Sequence, residues 1–154
     1  MNRKVGWLLT GVLVGMVAVG PWQARSEAGT GKAMIPVNER VLAVTRIDMG
    51  THGVSPGDQE IIRSRVLERG TGNTIGRSEL LCTFVDSGRS RSCRGTYILP
   101  KGDLVVGGSL LYRQVYELAV IGGTGLYDNA RGTLTVTRTS RKPVRNAVVF
   151  RLVG

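Results

Sequence analysis

The chain has 154 residues, of which 42% are hydrophobic and 21% are charged. This length suggests a single domain, and the composition is globular and excludes a disordered chain. The formal net charge of +10 invites an anionic partner. However, the basic residues are spread along the chain and no aromatic residues alternate with them, so we predict no nucleic-acid partner.

The N-terminus has the pattern of a secretory signal. A short basic stretch, "MNRK", precedes an uncharged apolar run over residues 5–20, and Pro21 then breaks any helix. Small residues near Ala28 offer a cleavage site. We therefore predict that residues 1–28 are a signal peptide and that the protein is secreted, to the exterior or the cell envelope, with no membrane contact after cleavage. An uncleaved N-terminal anchor stays an alternative.

The remainder divides into a predicted flexible leader, residues 29–39, and a predicted barrel domain, residues 40–154. Short apolar runs rich in β-branched residues, separated by glycine-rich turns, predict an all-β protein. The segment 59–68 fits a helix or a strand, and its β-branched residues favour a strand. The predicted strands are 40–48, 59–68, 74–86, 92–99, 104–114, 115–121, 132–139 and 146–154. Eight strands must close into a barrel or pack as a sandwich to protect their edges.

The two cysteines, Cys82 and Cys93, lie on the two arms of one predicted hairpin. If the loop spans residues 86–89, Val85 lies opposite Ser90 and Cys82 lies opposite Cys93. Directly opposed residues have Cβ atoms about 4.5–5.5 Å apart, close enough for a bridge after slight adjustment. In an oxidising compartment we predict a disulfide. The alternative is a free, reactive Cys82 facing a cavity.

Motifs of common enzyme classes are missing from the sequence. His52, the single histidine, lies in a glycine-rich loop, and no Gly-x-Ser-x-Gly elbow accompanies it. One histidine is also too few for a metal site. The glycine-rich stretch 121–132, "IGGTGLYDNARG", is followed by an alternating, β-branched segment and not by the helix that a dinucleotide loop requires. We therefore predict no metal and no cofactor.

Four segments in the right order resemble the allene oxide cyclase and dirigent superfamily, across residues 41–153. They are "GVSPGD" at 53–58, "IGRSELLCTFV" at 75–85, "CRGTYILPKGDLVVGG" at 93–108 and "ELAVIGGTGLYDNARG" at 117–132. The resemblance implies an eight-stranded antiparallel β-barrel, commonly a homotrimer, with a cavity for a hydrophobic small molecule. It implies an isomerase of the cyclase type, or a non-catalytic ligand-binding or structural cell-envelope protein on the same barrel.

The resemblance also suggests site residues. Cys82 matches a pocket cysteine of the cyclases, Arg131 matches an arginine near the dirigent pocket, and Asp48 lies near the acid of the first strand. If both face inward, Asp48 and Arg131 form a catalytic pair, in which the acid donates to an epoxide or carbonyl oxygen and Arg131 stabilises negative charge. Tyr97 and Tyr112 are predicted to add hydroxyl donors and cavity wall. Leu126 replaces the dirigent acid after "GGTG", which argues against radical-coupling chemistry.

Overall fold

The computed structural model describes residues 32–111 and 113–153, which form a closed antiparallel barrel of eight strands. Each strand pairs with its neighbours in the sequence, and β1 pairs with β8 to close the barrel. The predicted fold class is therefore confirmed. The strands are β1 Ala33–Ile47, β2 Gln59–Glu68, β3 Thr74–Asp86, β4 Ser90–Leu99, β5 Gly102–Leu111, β6 Val115–Gly123, β7 Arg131–Arg141 and β8 Val144–Val153.

The first strand begins earlier than the sequence suggested. The flexible leader predicted over residues 29–39 is wrong from Ala33 onward, because Ala33–Arg40 pairs with β8. Pro36 and the polar residues around it make this strand hard to recognise in the sequence. In the structure, every second side chain, those of Ile35, Val37 and Glu39, points toward the interior. The predicted signal peptide, residues 1–28, lies outside the described residues.

A β-bulge in β1 changes which of its side chains face inward. The register of β1 against β2 shifts between Val41 and Ala43, so one residue is unpaired there. Val41 lines the interior cavity before the bulge, and Val44 and Arg46 line it after the bulge. The bulge thus places an arginine at the mouth of the barrel, where strict alternation would have pointed it outward.

The two ends of the barrel differ in what fills them. We call the end where β1 finishes the site end, and the opposite end, where β1 begins, the far end. Toward the far end the interior is packed with apolar side chains that are fully buried. They include Val66, Leu104, Leu118, Leu134, Val148 and Phe150.

Within the described part of the chain, no helix is long and apolar enough to cross a membrane.

The glycine-rich stretch 121–132 connects β6 to β7 at the far end. Gly125 has φ +61° and opens a single 3-10 turn, Gly125–Tyr127. The turn docks on the β4–β5 connection, since the Leu126 amide donates to the Lys101 carbonyl at 2.9 Å and the Thr124 amide donates to the Asp103 carbonyl at 2.9 Å. The stretch therefore packs one strand connection against another, as the strand-like residues after it predicted.

The Cys82–Cys93 disulfide predicted from the hairpin is present. The two residues are register partners on β3 and β4, with Cα atoms 4.0 Å apart. The predicted facing of Val85 and Ser90 is wrong, because Ser90 pairs with Asp86 and the register shifts between Phe84 and Asp86. Both sulfurs are buried inside the barrel, so the bridge ties two strands together beside the interior cavity.

Removing this bridge is expected to destabilise the barrel by about 3 kcal/mol, the loss that chain entropy assigns to a loop of this size. The Cys82→Ala/Cys93→Ala variant should lower the free energy of unfolding by that amount in urea. Adding a reductant should lower the stability of the wild-type protein and leave the variant unchanged. If reductant destabilises both proteins equally, the effect does not come from the bridge.

Candidate functional site

A cavity of about 180 Å³ opens inside the barrel at the site end. Its walls combine apolar side chains with charged and hydrogen-bonding groups. The lining residues are Glu39, Val41, Val44, Arg46, Glu60, Ile62, Leu80, Arg91, Tyr116, Arg138, Val144 and Asn146. Because a barrel that serves only as a scaffold fills its interior with apolar side chains, this concentration of polar groups identifies the candidate site.

Glu39 is a buried carboxyl group held by neutral donors. The Ser78 hydroxyl donates to its Oε1 at 2.5 Å, and the Asn146 side-chain amide donates to its Oε2 at 2.7 Å. Glu39 and Asn146 are direct partners across the β1–β8 pair, and Ser78 reaches Glu39 from β3. These bonds hold the carboxyl group in one orientation beside the cavity.

Two tyrosines lie close to Glu39, and both are held in their neutral form. Burial, reinforced by the charge of Glu39, raises the pKa of Tyr97 well above its usual value. Burial and then Glu39 also raise the pKa of Tyr116, to about 12, although Arg91 and Arg138 act in the opposite direction. At physiological pH the Tyr116 hydroxyl therefore keeps its proton and remains a hydrogen-bond donor at the cavity wall.

A second buried carboxylate, Glu60, lies between two guanidinium groups. Arg91 is nearly buried and forms an ion pair with Glu60 Oε2, and Arg46 donates to Oε1 at 2.7 Å from the exposed mouth. Glu60 is the register partner of Cys82, one of the two cysteines of the disulfide. This charge cluster closes one side of the cavity and keeps the Glu60 carboxylate saturated with donors.

Two groups at the cavity retain hydrogen-bonding capacity. Asn146 Oδ1 is buried without a hydrogen-bond partner. Arg138, half buried on β7, has no ion-pair partner among residues 32–111 and 113–153. Buried polar groups are almost always satisfied in folded proteins, so an unsatisfied acceptor beside a cavity suggests a ligand or water that completes it. The same described residues contain no group of three His, Cys, Asp or Glu side chains that could hold a metal ion.

The predicted catalytic pair is not assembled. Asp48 follows β1 at the site end, is exposed and accepts a hydrogen bond from the Gly50 amide at 3.3 Å. Arg131 begins β7 at the far end, is exposed and donates to the adjacent Ala130 carbonyl at 2.8 Å. We therefore correct the expectation that Asp48 and Arg131 face each other inside the barrel. Among the described residues, the carboxyl groups that line the interior cavity are those of Glu39 and Glu60, and the arginines that line it are Arg46, Arg91 and Arg138.

The predicted ligand-binding residues also fall in different places. Tyr97 is inside the barrel, but its ring packs edge-on against Phe150 with centroids 5.0 Å apart, below the lining of the cavity. Cys82 is bonded to Cys93 in the disulfide, so the alternative of a free, reactive Cys82 thiol is excluded. Tyr112 lies outside the described residues. Tyr97 therefore forms part of the support beneath the site.

The polar lining was not predicted from the sequence, because the strand registers that assemble it are not evident there. On β2, Glu60, Ile62, Ser64 and Val66 face inward, while outward positions carry Ile61 and other residues of mixed polarity. Both faces of β2 therefore carry hydrophobic and polar residues, and the strand lacks the hydrophobic–polar alternation that would mark its inward face. One usable signal existed on β4, where Arg91 lies two residues before the inward-facing Cys93 and so shares its face.

The loop between β1 and β2 is organised by Asp58. Its carboxylate accepts hydrogen bonds from the Met49 amide at 2.9 Å and from the Ser55 amide at 2.8 Å. These two bonds, Met49 first, lower the pKa of Asp58 below its ordinary value of 3.8. The "SPGD" segment thus holds the loop in place beside the mouth of the barrel.

This arrangement predicts a specific loss of stability in acid. A carboxyl group whose pKa is lowered by folding stabilises the protein above its unfolded pKa, and that contribution disappears as the pH falls through the folded pKa. The stability difference between wild type and Asp58→Asn should be constant from about pH 7 to about pH 5 and shrink below about pH 4. Thermal unfolding at several pH values measures it. A difference that grows in acid would contradict the assignment.

Several solved structures share this fold at low sequence identity. "Pyocyanin demethylase" matches with a TM-score of 0.69 and 22% identity, over 79% of this chain and 100% of that one. The pterocarpan synthase dirigent protein PsPTS1 matches with a TM-score of 0.62 and 12% identity, over 80% and 94%. The Diels–Alderase AbmU from Streptomyces koyangensis matches with a TM-score of 0.61 and 16% identity, over 82% and 72%.

These neighbours confirm part of the resemblance seen in the sequence. The chain shares its barrel with dirigent proteins and with cyclase barrels of the Diels–Alderase kind. A specific relation to allene oxide cyclase stays a prediction. No protein-family model and no curated protein sequence matches the chain.

Proposed function

We propose that this barrel binds a mainly apolar small molecule with its oxygen-bearing end in the cavity, and that it promotes cyclisation or isomerisation of that molecule. The observation that carries the proposal is the set of hydrogen-bonding groups around one cavity: Tyr116 and Arg138 as donors and Asn146 Oδ1 as an unsatisfied acceptor. The apolar part of the cavity wall would hold the hydrocarbon part of the ligand.

The chemistry follows from the charges at the cavity wall. A carbonyl oxygen near Tyr116 and Arg138 would accept a hydrogen bond from the neutral hydroxyl and face a positive charge. Both draw electron density from a conjugated double bond, which favours ring closure at that bond. Confinement would add to this effect by holding a flexible chain near its reactive conformation. Glu39 fixes Asn146, and so sets the orientation of the acceptor that would bind an O–H or N–H group of the ligand.

The names of the structural neighbours are consistent with this class of chemistry. One is named for the demethylation of pyocyanin and another is a Diels–Alderase. Both names describe conversion of a small organic molecule by a barrel of this shape. The dirigent neighbour is called a pterocarpan synthase.

The size of the cavity favours a second candidate, a binding protein without turnover. Ligand pockets commonly measure about 300–1,000 Å³, whereas this cavity measures about 180 Å³. An engineered cavity of about 150 Å³ holds a benzene molecule, so one ring or a short chain would fit here and the rest would extend through the mouth. A binder of this kind could act in the cell envelope.

We also propose that the protein is exported. A buried disulfide supports this, because such bridges persist in oxidising compartments and are rare in reducing ones. Fusing residues 1–31 to a reporter enzyme that is active only after export would test the signal directly. Export of the fusion and retention of a reporter without the segment would support the proposal, and equal retention would contradict it.

The binding proposal is tested with the neutral dye N-phenyl-1-naphthylamine and matched competitors. Cyclic enones and the corresponding cycloalkenes, which lack the carbonyl group, compete for the dye. In the wild-type protein we expect the enones to bind better. In Tyr116→Phe/Arg138→Met that advantage should shrink about tenfold, since two interactions with the carbonyl oxygen are removed, each comparable to an ordinary hydrogen bond.

Tyr127→Phe is the matched control, because Tyr127 is half buried near the far end and does not line the cavity. It should keep the enone preference. An identical preference in all three proteins would contradict the placement of the carbonyl group. Conversion of linear triene enones, followed by mass spectrometry and chromatography, then separates the two candidates: turnover abolished in the double variant supports a cyclase, and binding without turnover supports the binding protein.

A further inference from the structure

Four arginines lie side by side on the outer face of the barrel. Arg145 on β8 is the register partner of Arg40 on β1, Arg40 is the partner of Arg65 on β2, and Arg65 is the partner of Arg77 on β3. All four are exposed. Neighbouring strands are about 4.8 Å apart, so the four side chains start within about 15 Å of one another. We call these four residues the arginine row.

The arginine row has little negative charge to balance it. Arg77 lies 3.6 Å from Glu79, and both side chains are mostly exposed. Arg40, Arg65 and Arg145 form no ion pair with any other residue that the structure describes. Like charges placed directly opposite each other destabilise a sheet. The row therefore retains a repulsion that a bound anion would relieve.

A surface groove of about 520 Å³ runs along three of these arginines. Beside Arg40, Arg65 and Arg145, its lining includes the hydroxyl-bearing Thr74 and Thr139 and contains no aromatic residue. The one carboxyl group in the lining belongs to Glu39, which is buried and accepts hydrogen bonds from Ser78 and Asn146. Guanidinium groups bind phosphate in a bidentate manner, and threonine hydroxyls can donate to the remaining oxygens. The groove offers no platform on which nucleic-acid bases could stack.

The curvature of the barrel distinguishes between anionic partners. The arginine row crosses four of the eight strands, which is three of eight steps around the barrel. A flat membrane surface would reach only part of such a convex row. A flexible chain can follow it from β8 to β3 and place a phosphate against each arginine.

We propose that the arginine row is a binding site for a linear polymer of closely spaced phosphate groups. The arginine row lies on the outer face of the sheet, and none of its four arginines lines the interior cavity. The groove and the cavity do share Glu39 and Asn146, so the proposal concerns the arginines and not these two residues. Such a site would also explain why part of the chain's positive charge is concentrated in the arginine row.

The test measures the affinity of the full-length protein for long-chain inorganic polyphosphate by calorimetry at several NaCl concentrations. Arg40→Gln/Arg65→Gln should weaken binding at least about tenfold. The slope of log K against log salt should become shallower by about 1.4, because the variant neutralises two fewer phosphate groups. Arg89→Gln/Arg94→Gln removes the same charge from exposed positions outside the row and should change the affinity less than about threefold.

Arg40→Lys/Arg65→Lys keeps the charge and removes bidentate hydrogen bonding. A loss of affinity for polyphosphate that lies between those of the control and the glutamine variant supports the proposal, even if the glutamine variant folds poorly. Equal losses in the row variant and the control would overturn the proposal, since net charge alone would explain them. Single-stranded DNA bound as tightly as polyphosphate would overturn it in favour of a nucleic-acid site. Binding to phosphatidylglycerol vesicles without binding to polyphosphate would overturn it in favour of a membrane surface.

Discussion

Replacing Arg91 with methionine should destabilise the barrel by about 3–5 kcal/mol, the range observed when one partner of a buried ion pair is removed. Glu60 is only 2% exposed, so the substitution leaves a carboxylate in the interior with its buried partner gone. Methionine retains much of the length of arginine, which limits the loss of packing. Urea unfolding followed by circular dichroism measures the free energy.

The same carboxylate provides its own control. Arg46 also donates to Glu60, at 2.7 Å, but its side chain is 65% exposed. Exposed ion pairs contribute about 0–1 kcal/mol, so Arg46→Met should cost about 1 kcal/mol or less. Removing both buried partners in Glu60→Leu/Arg91→Met should restore much of the stability that Arg91→Met loses, because no unpaired charge is left inside. Equal losses for Arg91→Met and Arg46→Met would contradict the burial of this pair.

This comparison bears on why the interior carries charge at all. Replacing a buried ion pair by apolar residues is often neutral or stabilising. A barrel with an apolar interior at its site end would therefore fold at least as well as this one. If Glu60→Leu/Arg91→Met is as stable as wild type, the charged cluster is retained for the cavity that it borders and not for folding.

The fold could be predicted from the sequence because its signals are local. Alternating β-branched runs and glycine turns gave strand boundaries for β2 and β3 that match the structure. The opposition of Cys82 and Cys93 was predicted correctly although the loop is one residue shorter than expected, because the register shift between Phe84 and Asp86 restores the pairing. The early start of β1 was missed because Ala33–Arg40 is a strand by virtue of its pairing with β8, at the other end of the chain.

The candidate site could not be predicted to the same degree, because it depends on interactions between distant segments. Glu39 and Asn146 are separated by 107 residues, and Arg91 and Glu60 by 31. Only the closed barrel with its registers brings them to one cavity. The β-bulge in β1 adds a further shift that no periodicity argument anticipates, since it reverses the facing of Val44 and Arg46.

Replacing Phe150 with alanine should cost about 3–5 kcal/mol, as large-to-small changes of buried aromatic residues do. Phe150 is fully buried and packs against Tyr97 in a T-shaped arrangement, with an angle of 85° between the ring planes. Its removal takes away hydrophobic packing and an aromatic pair worth about 0.5–1.5 kcal/mol beyond its buried area. Urea unfolding again measures the loss.

The neighbouring Val149 faces outward and is half buried, so Val149→Ala is the matched control and should cost far less. Phe150 is not part of the lining of the site-end cavity, and the groups that would bind a carbonyl oxygen remain in place in the variant. The enone preference should therefore survive in Phe150→Ala while its stability falls. Loss of that preference together with stability would mean that the packed far end positions the site, and an unchanged stability would contradict the packing of Phe150 against Tyr97.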